Sequence, residues 1–90
     1  MADDIVQKIA TQIRKVAEES ARIDLTVADF IAEDIDDIKR YAKERGLSAA
    51  QTITLVLKGL EIGLLDYGKI KFETVVTLLE KAKEQLKRLL

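Results

Sequence analysis

The sequence predicts an all-α fold: a four-helix bundle-like domain with a central, highly buried third helix. Three observations predict it. Apolar residues recur every three or four positions through four stretches of about 18–20 residues, the spacing that lines one side of a helix. Proline is absent from all 90 residues, so nothing forces a break inside a helix. The breaks fall instead where the periodicity lapses, around residues 21–26, at Gly46 and at Gly68. The expected arrangement is one all-α domain over residues 1–90, with helices over about 2–20, 27–45, 48–66 and 70–90. That size suits one domain, since domains commonly hold about 100–150 residues.

In the first helix Ile5, Val6, Ile9, Ala10, Ile13, Val16 and Ala17 share a side. Asp3 and Asp4 lie near the positive end of its dipole, where carboxylates are favoured. The segment Ala21–Thr26, ARIDLT, reads in two ways. Ile23, Leu25 and Val27 alternate with Arg22, Asp24 and Thr26, a short strand signal over residues 22–28. Against it, Thr26 followed by Asp29 resembles a capping box that opens a helix at Val27. A lone short strand has no partner in this chain, so loop plus cap is the expectation.

The second helix carries Val27, Ile31, Ile35, Ile38 and Ala42 as its inner stripe, with Phe30 and Tyr41 beside it. Its acidic residues come first and Lys39, Arg40, Lys43 and Arg45 last, matching the dipole at both ends. Gly46 can take the left-handed conformation that stops it. Ser48 with Gln51 is a capping box for the third helix. That helix, SAAQTITLVLKGLEIGLL, is the most apolar stretch of the chain. Gln51, Thr54, Lys58 and Glu61 form one narrow wet stripe. Ile53, Val56, Leu57, Leu60, Leu64 and Leu65 cover most of the remainder, with Leu55 and Ile62 flanking the stripe. A helix so apolar is buried or spans a membrane. Spanning takes about 20 apolar residues, and Lys58 and Glu61 interrupt this run. The last helix presents Phe72, Val75, Val76, Leu79, Ala82, Leu86 and Leu89. Matched lengths and short connections predict antiparallel neighbours.

The totals restrict function. Without Cys or His there is no thiolate nucleophile, disulfide, Cys-based metal site or imidazole base. A net charge of −1 gives no electrostatic footprint for nucleic acid or anionic lipid. The opening MADDIVQK is acidic, unlike a secretory signal, so a soluble, cytoplasmic-type protein without signal peptide or transmembrane segment is expected.

Candidate sites are few. Gly59 and Gly63 form a GxxxG pair sharing a side with Thr52 and Val56. It reads as a close helix crossing within the chain, ahead of a dimer face or ligand slot. Glu33, Asp34, Asp36 and Asp37 could draw a hard cation, but no Gly-centred calcium loop or Glu-x-x-His pair accompanies them. A solvated helix face is the expectation. Ser20 and Ser48 lack a base, and Lys58 reads as a side chain that carries its charge to water. The expectation is therefore no enzyme, no catalytic, cofactor or metal residues, no cofactor and no required partner, with a monomer favoured over a homodimer.

Two resemblances follow from these residues. Pro, His, Cys, Trp and Asn are all missing, although about 5% of residues are proline on average. In this the chain resembles computationally designed helical bundles, which implies a structural scaffold without a native compartment. Thr52, Thr54, Thr74, Thr77, Gly59 and Gly63 inside helices depart from idealised designs, and a design assembled from natural fragments combines both features. Residues 34–60, DIDDIKRYAKERGLSAAQTITLVLKGL, with RIDLTV upstream, look like the ribbon-helix-helix DNA-binding family. That resemblance implies a dimer reading the major groove through Arg22, Asp24 and Thr26. Here Asp24 would face phosphates and the strand-to-helix spacing differs from the family's.

Overall fold

The computed structural model describes residues 2–90, with side chains from Asp4 onward. The expected dipole role of Asp3 lies outside the described side chains. Four helices pack as a bundle: α1 (Ala2–Glu18), α2 (Ile23–Arg45), α3 (Ala49–Tyr67) and α4 (Phe72–Leu89). No strand occurs among the described residues. Every helix contributes to one interior, in which Ile13, Ile31, Val56, Leu60, Leu64, Val75 and Leu86 are fully buried. Three of these seven belong to α3, which touches all three other helices.

The closest packing is between α1 and α3, which are not consecutive in the chain. Residues 6 and 9 of α1 lie against Gly59, and residues 10 and 13 against Gly63, so the two helices run in the same direction. That is the direction antiparallel sequence neighbours give, but α1 packs more extensively on α3 than on α2, its neighbour in the chain. The cause is the glycine pair. Two missing side chains one turn apart let the α1 backbone settle onto α3, where any other residue would hold it away. The remaining extensive contacts pair α3 with α4 and α2 with α4.

Residues 22–26 correct the sequence reading. No strand forms, and the loop is shorter than expected: Ala21 and Arg22 stay outside the helix, and α2 begins at Ile23, four residues before the expected start. Thr26 is not a cap. Its amide and its hydroxyl both donate to Arg22 O, each at 3.0 Å, inside the helix. Arg22 holds the N-cap position without a side-chain cap, and its guanidinium grips the Asp24 carboxylate at 3.1 and 3.3 Å. The Ser20 hydroxyl accepts from the Arg22 amide at 3.1 Å and pairs with the Thr26 hydroxyl, closing the turn. Two periodicities competed here. Ile23, Leu25 and Val27 alternate, but Ile23, Val27, Phe30 and Ile31 are also spaced as one side of a helix. Leu25 is exposed while Val27, Phe30 and Ile31 are buried, so the helical spacing decided.

The other helix ends follow local chemistry. At Ser48 both halves of the capping box are made: the Gln51 amide donates to Ser48 Oγ at 3.1 Å, and the Ser48 amide to Gln51 Oε1 at 2.8 Å. Ser48→Ala should lower stability by about 1 kcal/mol, read from urea denaturation. Gly46 (φ 64°) ends α2 in a Schellman motif, with its own amide on Lys43 O and the Leu47 amide on Ala42 O. Gly68 (φ 71°) ends α3, its amide reaching Leu64 O at 3.3 Å.

Two faces differ from expectation. In α3, Leu65 is 47% exposed. It continues the wet stripe of Gln51, Thr54, Lys58 and Glu61 by one further step of four, so it lies opposite the core. Ile53, Leu55, Leu57 and Ile62 are half-buried at the flanks. In α4 the buried set is Val75, Leu78, Ala82 and Leu86, while Phe72 and Val76 are exposed. Centring the face on Phe72, Val76 and Leu79 would have carried Lys83 inward at the next step. The rotation toward Leu78 puts Ala82 there instead.

Candidate functional site

The Gly59–Gly63 surface is occupied. A Cβ placed on Gly59 would lie 2.8 Å from Ile9 Cβ and 3.0 Å from Val6 O. One placed on Gly63 would overlap Ile13 Cγ2 and stand 2.5 Å from Ala10 O. The intramolecular crossing is therefore made, and α1 fills the apolar groove beside Gly59 and Gly63. The buried polar residue beside it is Thr52, whose hydroxyl donates to Ser48 O at 2.8 Å. Among the described residues no buried side-chain nitrogen or oxygen lacks a hydrogen-bond partner.

A groove of about 440 Å³ opens where the N-terminal half of α1 lies beside the C-terminal half of α2. Ile5, Ile9 and Ile38 contribute apolar surface, and Lys8, Gln12, Asp34, Arg40 and Arg45 bring polar groups to it. Much of this charge is already engaged. Arg40 pairs with Asp37 at 3.3 Å, Arg45 with Glu44 at 3.9 Å, and the Arg45 guanidinium stacks 3.9 Å from the centre of the Tyr41 ring. The groove could accept an apolar group edged by polar contacts.

The acidic cluster divides. Glu33 and Asp36 are exposed, Asp37 faces Arg40, and Asp34 turns to the groove near Lys8. Among the described residues no group of three or more His, Cys, Asp or Glu side chains is placed to hold a metal ion. Partial burial, and then the neighbouring Asp37 carboxylate, raise the Asp34 pKa above its ordinary 3.8, against the opposing pull of Lys8. A raised carboxyl pKa means that the folded chain holds this proton more firmly than the unfolded one. Its contribution to stability is therefore present at low pH and lost as pH rises from 3.8 through the folded pKa. Asp34→Asn should flatten that part of the stability–pH curve, measured by denaturant titration between about pH 3 and 7. Asp24 acts in the opposite direction, since the hydrogen bond from Arg22 lowers its pKa.

Lys58 is exposed on the wet stripe, as its snorkelling reading requires. The ribbon implied by RIDLTV is helical, so Arg22, Asp24 and Thr26 lie on the first turn of α2 and its cap, with no strand to pair with a second chain. Among the described residues no helix is long and apolar enough to cross a membrane. Comparison with known proteins adds no relative: no family model, no curated protein and no solved structure matches the chain.

Proposed function

We propose that this chain is a structural scaffold, an engineered helical bundle whose property is its fold, with no enzymatic activity and no required partner. The observation that carries the reading is the interior. It is apolar throughout apart from Thr52, which is satisfied by Ser48 O, and it encloses no ionisable side chain among the described residues. Among the described residues every ionisable side chain is exposed or only partly buried. The joint absence of Pro, His, Cys, Trp and Asn supports engineered origin on composition. The scaffold is a monomer at low micromolar concentration and a soluble protein of cytoplasmic type. A net charge of −1 gives no overall electrostatic attraction for nucleic acid.

A second reading uses the groove between α1 and α2 as a protein-interaction site. Its three isoleucines with an ionic rim have the make-up of a docking cleft. Thermal and denaturant melts separate the two. A scaffold should unfold in a single cooperative step at a high temperature, above about 90 °C if it is as stable as idealised bundles are. Replacing Lys8, Gln12 and Arg40 together by Ser should change its stability by no more than about 0.5 kcal/mol per site. Saturable binding of an amphipathic helical peptide, abolished by those replacements, would establish the interaction module instead.

A further inference from the structure

The turn between α1 and α2 differs in kind from the other two. Gly46 and Gly68, with φ of 64° and 71°, end α2 and α3, and among the described residues they alone have positive φ. A left-handed glycine stops its helix by local geometry. Residues 19–22, Glu-Ser-Ala-Arg, include no Gly or Pro, and Glu, Ala and Arg are strong helix formers. Arg22 turns the chain with an ordinary extended backbone, φ −134° and ψ 91°. Side chains close the turn: Ser20 Oγ accepts from the Arg22 amide at 3.1 Å and pairs with the Thr26 hydroxyl. The apolar stripes on either side are in phase, as though the helix ran on. Ile9, Ile13 and Val16, then Ser20, then Ile23, Val27 and Phe30 advance by alternating steps of four and three, the repeat of a continuous helical seam.

We propose that this turn is a hinge through which two copies of the chain exchange α1. Residues 19–22 become helical, α1 and α2 fuse into one rod over residues 2–45, and each α1 leaves its own α3 for that of the other copy. The seat fixes the occupant. Gly59 receives Val6 and Ile9, and Gly63 receives Ala10 and Ile13, so a second α1 fits where the first does. In the monomer α1 and α2 lie antiparallel, residues 4–12 beside residues 34–45. Two fused rods laid antiparallel about a two-fold axis at the turn therefore put each α1 beside the other copy's α2 in the same sense.

The α1 contacts are then made again between chains, so the balance rests on the turn. The monomer keeps the Ser20 hydrogen bonds. The dimer gains helical hydrogen bonds through residues 19–22 and gives up the independent motion of one chain. Concentration accordingly favours the dimer. This inference does not rest on the scaffold reading, and either can fail without the other.

Refolding the full chain from urea at about 10 μM and at about 1 mM, followed by size-exclusion chromatography, tests it. The expected result is a monomer from the dilute sample and a dimer fraction from the concentrated one. Ser20→Ala removes both hydrogen bonds that close the turn, and should raise the dimerisation constant at least about tenfold. Ala21→Gly should lower it roughly twentyfold, since glycine disfavours the helix about fivefold at each of two turns. The chain has no Cys, so spin labels go only where Gln12→Cys and Glu44→Cys place them. These two residues line one groove in the monomer. In the fused rod they are 32 positions apart on one helix, about 48 Å. Labelled chains refolded with an excess of unlabelled ones report that distance within a single chain. A chain that stays monomeric in the concentrated sample overturns the proposal. So does a dimer whose labels keep the monomer's short separation, which would be built on an outer face, and so does a dimer indifferent to both Ser20→Ala and Ala21→Gly.

Discussion

Gly63→Ala should be the most damaging single-methyl change in the chain, lowering stability by about 2–3 kcal/mol, the upper part of the overpacking range. In an exposed helix interior the same change would gain roughly 0.5–1 kcal/mol, because glycine is the costlier residue there. The sign reverses here because the added carbon meets backbone. It would lie 2.5 Å from Ala10 O and 3.0 Å from Ala10 Cα, so α1 as a whole must back away. Gly59→Ala should cost less, about 1–2 kcal/mol, because its nearest obstacles are the side-chain atoms of Ile9 at 2.8 and 2.9 Å. Removing the Ile13 side chain by Ile13→Ala should couple with Gly63→Ala, the double variant being less destabilised than the sum of the singles. Melting temperatures check the order: about 4–8 °C is lost per kcal/mol in a domain of this size. Equal melting of Gly63→Ala and the parent would remove the close crossing from the account.

Leu60→Ala and Leu65→Ala should differ by several kcal/mol although they make the same chemical change five positions apart. Leu60 has no exposed surface and lies in a close-packed interior, so truncation loses its transfer energy and leaves a cavity, about 2–5 kcal/mol together. Leu65 is 47% exposed on the wet stripe, and its truncation should stay near 0.5 kcal/mol. Urea denaturation of the two variants measures the contrast. Comparable losses would mean that the wet stripe ends before Leu65 and that α3 is turned differently.

Those two experiments separate what could be read from the sequence from what could not. Signals complete within one helix turn were legible: the Ser48–Gln51 box, the left-handed glycines at 46 and 68, and the apolar side of α1 all stand where their residues require. The interior of α3 was legible for the same reason, because Val56, Leu60 and Leu64 are apolar wherever the neighbouring helices lie. Orientation was less so. α4 has apolar residues on more than one side, and the choice of Leu78 over Val76 depends on what packs against it. Leu65 is apolar in type but polar in position, and only continuing the stripe through Glu61 by four would have placed it. At residues 22–26 two periods overlapped, and the alternation drew attention from the longer helical spacing that begins at Ile23. The pairing of α1 with α3 was half legible. GxxxG announced that some backbone would come close, without naming which. The candidate site offered least, because the groove between α1 and α2 is assembled from residues of two helices that carry no shared motif.

The α1–α3 contact also bears on how the chain folds. Ile13 and Gly63 lie 50 positions apart, so the tightest junction in the molecule closes a long loop with all of α2 inside it. Loop closure of that length is an entropic cost met before the junction returns anything. The bundle should therefore acquire native topology more slowly than a hairpin-by-hairpin bundle of equal helicity, as higher contact order slows two-state folding. Glycine substitutions at this junction would then raise the unfolding rate if it forms after the transition state, and slow refolding if it forms before.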